Sequence, residues 1–92
     1  MIFELGKLVA SKAIAVAMEE DNKFLREVHG ALDRYITRDW GEMEEEDKAM
    51  NDEALESGKD RIFAAYDTSR GKIWIITEWD RSATTVLFPE DY

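Results

Sequence analysis

The single histidine, His29, stands four residues before Asp33. At that helical spacing a carboxylate can orient an imidazole as a general base. No nucleophile or second base accompanies the pair, and the chain has no cysteine. His29 is therefore read as a boundary histidine with a helical neighbour.

A second group comprises Trp40, Asp47, Asn51 and Arg81. Asp47 and Asn51 form an i, i+4 pair on the core-facing side of a helix. Buried polar groups need partners. The pair either holds its helix against a loop or the sheet, or lines a polar pocket beside Trp40. With Arg81, such a pocket would suit a small molecule or nucleotide. The stretch Arg81-Ser82-Ala83-Thr84-Thr85 offers an arginine and three hydroxyls that could hold a phosphate. The same residues also serve to cap turns and to pair with Glu78 and Asp80.

Acids dominate one segment. From Glu42 to Glu56 there are eight acids (Glu42, Glu44, Glu45, Glu46, Asp47, Asp52, Glu53 and Glu56) and one base, Lys48. At ~100° per residue, Glu45, Glu46, Asp52, Glu53 and Glu56 share one helix side within about 120°. Carboxylates on adjacent helical turns lie ~5–6 Å apart, close to phosphate spacing along DNA. The row is either a docking face for a basic partner or a solvated face that aids solubility.

The whole chain has 92 residues with 21 acids against 12 bases, a net charge of −9. This balance opposes direct nucleic-acid binding, which needs a basic stripe. Lacking cysteine, the chain has no disulfide, thiol nucleophile or thiolate metal site. One histidine excludes a multi-histidine metal centre within the chain. The acidic run lacks the Asp-x-Asp-x-Asp-Gly pattern of a calcium loop. Gly-rich phosphate loops and nucleophile elbows are also missing. No cofactor, no metal and no enzymatic activity are expected.

The apolar stretch Leu8 to Met18 is interrupted by Lys12 and flanked by Glu4 and Glu19, unlike a signal peptide. No run approaches the ~18–20 apolar residues of a membrane span. The expectation is a soluble, cytoplasmic protein.

These side chains must be positioned by few elements. The 92 residues form one domain, with no repeat and no linker. Ser11 is a good N-cap for a short, apolar first helix to Met18, expected to be largely buried. A second, strongly amphipathic helix spans 22–38, with Phe24, Leu25, Val28, Leu32, Tyr35 and Ile36 on one side. A third spans 44–57, closed by Gly58. Strands follow near 61–67, 72–79 and 84–88. The expected architecture is α+β: three helices on a three-stranded antiparallel meander. On the central strand Ile73, Ile75 and Trp79 are placed on one face, Trp74 and Ile76 on the other. Both faces are apolar, so the second requires the N-terminal segment, the tail or a partner over it. An outward Trp79 would be an interface anchor, and a homodimer is one way to cover the sheet.

The chain resembles a family of small acidic proteins of bacterial plasmids, conjugative elements and phages. The matching pieces are Glu4-Leu5-Gly6, Val9-Ala10-Ser11, Asp39-Trp40-Gly41, Glu46-Asp47 with Asn51, and Tyr66. Ile73-Trp74-Ile75-Ile76-Thr77-Glu78, Asp80-Arg81-Ser82, Thr84-Thr85-Val86-Leu87, Pro89-Glu90 and Tyr92 complete the match. Trp79 and Phe88 depart from the family pattern, which has a small residue and an aliphatic there. The resemblance implies a mobile-element setting and supplies no catalytic residues. It also puts Asp47, Asn51 and Arg81 at motif positions.

The expectation is therefore a non-enzymatic accessory protein of a mobile element that acts by protein binding. In its sharper form the acidic face mimics DNA and inhibits a host defence nuclease, a CRISPR or restriction complex. A small-molecule or nucleotide-binding regulator is the alternative.

Overall fold

The computed structural model describes residues 3–92. Strand β1 is Lys7–Ala10, followed by helices α1 (Lys12–Glu20), α2 (Asn22–Ile36) and α3 (Glu45–Ser57). Strands β2 (Ile62–Thr68), β3 (Gly71–Thr77) and β4 (Ala83–Leu87) complete the sheet, and a 3-10 turn spans Pro89–Asp91.

The α+β class and three helices are as expected, but the sheet differs. It has four strands in the order β1-β4-β3-β2. β2, β3 and β4 form the antiparallel meander, while β1 runs parallel to β4 with Lys7 opposite Ala83 and Ala10 opposite Val86. The residues that seat β1 are local. Gly6 adopts φ +65°, and a Cβ there would lie 2.3 Å from the Arg81 carbonyl oxygen. Only glycine allows that approach in that conformation. The Lys7 N–H then donates to the Ser82 carbonyl and the Ser11 N–H to the Val86 carbonyl.

Helix starts follow their caps. The Ser11 hydroxyl accepts from the Ile14 N–H, and Asp21 accepts from the Lys23 and Phe24 N–H groups. α3 ends at Gly58 in the left-handed conformation, the usual glycine stop. α1 is less buried than its composition suggests: only Ile14 and Ala17 are buried, because a single stripe meets the core.

Ile14, Phe24, Val28 and Tyr35 from the helices pack on Ile62, Ala64, Tyr66, Ile73, Ile75 and Val86 of the sheet. β3 ends at Thr77, so the third inward residue of that strand is Thr77. Trp79 lies in the following loop, 63% exposed. The second face of the sheet is covered in part by the tail. Tyr92 packs edge-on to Trp74, with ring centroids 5.8 Å apart, and Trp74 meets Phe63 at 5.0 Å. Ile76 and Leu87 are buried on that face. Phe88 goes the other way and stacks on Phe24.

A chain of hydroxyls crosses the core. Tyr35 Oη lies 2.7 Å from Thr77 Oγ1, and Thr77 Oγ1 lies 2.7 Å from Thr84 Oγ1. Thr84 donates to the Leu5 carbonyl at 2.7 Å. It links α2, β3, β4 and the segment before β1. Burial pushes the Tyr35 phenol well above its ordinary value, so it stays a neutral donor.

Candidate functional site

The acidic segment is mounted on the outer edge of β2. An edge strand exposes unpaired N–H and C=O groups that proteins commonly cover. Here three side-chain and backbone devices do so. Asn51 is buried and its carboxamide donates to the Phe63 carbonyl (2.7 Å) while accepting from the Phe63 N–H (3.2 Å). The Glu42 N–H donates to the Ala65 carbonyl, and the Glu42 carboxylate accepts from the Asp67 N–H. Gly41, at φ +80°, comes so close to Ala65 that a Cβ would lie 2.1 Å from its carbonyl oxygen.

The turn into this edge strap is built from the Asp39-Trp40-Gly41 motif. Asp39 pairs with Arg34 through two hydrogen bonds (2.7 and 3.2 Å) and accepts from the Gly41 N–H. The Arg34 guanidinium holds the Asp39 carboxyl below the usual carboxylate range. Tyr66 donates to the Asp39 carbonyl at 2.7 Å. Trp40 is buried against Tyr35 and Phe3, with centroid separations of 5.4 and 5.9 Å.

The four residues considered for a polar pocket are not gathered around one cavity. Trp40 donates its indole N–H to Asp52 at 3.1 Å. Asn51 uses both ends of its amide on Phe63. Arg81, at φ +61°, donates to the carbonyls of Asp60, Glu78, Trp79 and Ala54. It braces the β3–β4 connection against the end of α3. Asp47 is exposed rather than core-facing. Asp47 and Asn51 share an open groove of about 530 Å³ with Met43, Met50 and Phe63, without Trp40 or Arg81. Phosphate binding at residues 81–85 loses its arginine and one of its three hydroxyls. Arg81 is occupied, Thr84 is buried in the hydroxyl chain, and Ser82 donates its N–H to Asp80.

His29 is exposed and makes no hydrogen bond with Asp33 among the described residues. No three acidic or histidine side chains among the described residues are arranged to hold a metal ion. Among the described residues no helix is long and apolar enough to cross a membrane.

All eight acids from Glu42 to Glu56 are exposed, but they are not equivalent. Asp52 pairs with Arg38 at 3.4 Å besides accepting from Trp40, so this member of the acidic face also anchors the helix. Glu45 meets Lys48 at 3.4 Å across a surface-exposed pair. Glu46, Glu53 and Glu56 have no ion-pair partner among the described residues. The helix wheel places Asn51 correctly as buried and Glu45, Glu46, Asp52, Glu53 and Glu56 as exposed, misplaces Asp47 on the core side, and does not show the Trp40–Asp52 bond, which depends on a loop reaching back over α3. Glu42 was missed as a structural residue. Its place just after Gly41 is the signal that could have found it.

No family model, no curated protein and no solved structure matches this chain.

Proposed function

We propose that this domain is a non-enzymatic accessory protein of a mobile genetic element that acts by binding a basic protein surface. In this reading α3 stands in for a DNA strand and competes for the groove of a host defence nuclease, a CRISPR or restriction complex. The observation that carries it is the unneutralised row Glu46, Glu53 and Glu56, continued by Glu45. It lies on a helix held rigidly by Asn51, by Ala54 in the core and by Asp52. A pre-ordered charged face loses little conformational entropy on docking. The mobile-element setting rests on the family resemblance.

Capture from host lysate with Glu45, Glu53 and Glu56 all changed to lysine tests the reading. Asp52 is spared because it carries the Trp40 bond. The unchanged chain should retain a DNA-binding protein at low salt and release it near ~0.5 M, where charge pairing is screened within a few ångströms. Duplex DNA should displace the captured protein. A triple variant that retains the same protein at full strength, or a captured protein indifferent to DNA, sinks the proposal.

A further inference from the structure

The two outer edges of the sheet are finished differently. The edge of β2 is strapped by Asn51, Gly41 and Glu42. That of β1 is bare. The Lys7 and Ser11 N–H groups point inward to β4, so strand alternation turns the N–H and C=O groups of Leu8 and Ala10 outward. They have no partner among the described residues. All four residues of β1 are exposed. Leu8 is 53% exposed, Val9 37% and, on the adjoining α1, Val16 41%. A groove lined by Leu8, Met18, Val28 and Leu32 runs beside the strand. A short edge with a lysine is one ordinary defence against pairing. Exposed apolar side chains along the same edge have the opposite effect.

We propose that β1 pairs antiparallel with β1 of a second copy about a two-fold axis at Val9, making one continuous eight-stranded sheet. This register makes Leu8 and Ala10 of one copy the hydrogen-bonded partners of Ala10 and Leu8 of the other. All outward groups are used. On the helix-bearing face the larger Leu8 meets the smaller Ala10. On the other face the two Val9 side chains meet in the close, non-hydrogen-bonded pair.

Charge identifies the occupant as a second copy. In this register Lys7 stands opposite Ser11 of the second copy. The Ser11 hydroxyl donates to the Asp91 carboxylate at 2.8 Å. Each Lys7 ammonium therefore comes beside the other copy's Asp91, twice by symmetry. The acidic load does not oppose this pairing, because α3 packs beside β2 at the far edge. With ~4.8 Å between strands, the two β2 edges stand roughly 35 Å apart, several screening lengths at physiological salt. The proposal does not depend on what α3 binds.

Sedimentation equilibrium and hydrogen exchange on the intact chain test it together. The chain should dimerise at micromolar to submillimolar concentration. The Leu8 and Ala10 amides should exchange more slowly as concentration rises. Val9→Lys sets two ammonium groups face to face on the axis and should weaken association about a hundredfold, with the circular dichroism unchanged. A chain that stays monomeric throughout overturns the proposal. So does a dimer whose Leu8 and Ala10 amides exchange at the monomer rate, or one that Val9→Lys leaves intact.

Discussion

The carboxamide of Asn51 closes a two-bond ring with the backbone of Phe63, donating to its carbonyl and accepting from its N–H. A side chain thus takes the place of a neighbouring strand at the edge of β2. It also fixes where α3, with its acids, sits relative to the sheet.

Asn51→Ala should cost about 2 kcal/mol of stability, since it strands two part-buried backbone groups. Asn51→Asp should cost at least as much, because it sets a carboxylate against the Phe63 carbonyl. Urea unfolding reads both. A change under ~0.5 kcal/mol for Asn51→Ala, the range of ordinary surface substitutions, would mean the edge is held without this clamp.

Thr77→Val preserves shape but interrupts the hydroxyl chain between Tyr35 and Thr84. The expected loss is about 2 kcal/mol, from polar groups left unpaired in the core. Thermal unfolding is the check. A neutral outcome would show that Tyr35 turns fully to the Ile62 carbonyl, now 3.5 Å away.

Acid should weaken the turn at Asp39. Its carboxyl is held below the ordinary 3.8 chiefly by Arg34. A lowered folded value contributes stability that is full above the ordinary pKa and is lost as pH falls through the lowered one. Both side chains are about half exposed, so the effect stays below ~1 kcal/mol. Asp39→Asn should flatten the acid limb of the stability curve below about pH 4. An unaltered limb would assign the acid sensitivity to other carboxylates.

Glu56 occupies the last turn of α3, which holds no base. An anion there opposes the helix dipole. Glu56→Lys should raise stability by about 0.5 kcal/mol at low ionic strength, and the gain should shrink as salt rises. Melting curves at several salt concentrations decide it. A loss of stability at low salt would mean that Glu56 has a structural role like that of Asp52.

The sequence made the local elements legible. Ser11, Asp21 and Gly58 mark helix ends by chemistry confined to one turn, and the acidic wheel of α3 needs no tertiary information. It did not disclose β1. Lys7 to Ala10 is four residues long, and its partner β4 lies at the other end of the chain, where no local pattern points. The extension of β3 to Trp79 failed for a related reason. Arg81 bends the connection by donating to the Trp79 and Glu78 carbonyls, and that bond joins residues no alternation rule can rank. Asn51 was readable as buried and polar, and its partner Phe63 only from the fold.

The pairing of residue 7 with residue 83 also bears on how the chain is made. β1 and the Leu5 carbonyl are synthesised well before β4, yet both wait for it before they have a partner. The helices need only local hydrogen bonds, but the sheet closes only after Leu87 is available. Such non-local closure slows folding. Until then Leu8 and Val9 have no strand beside them.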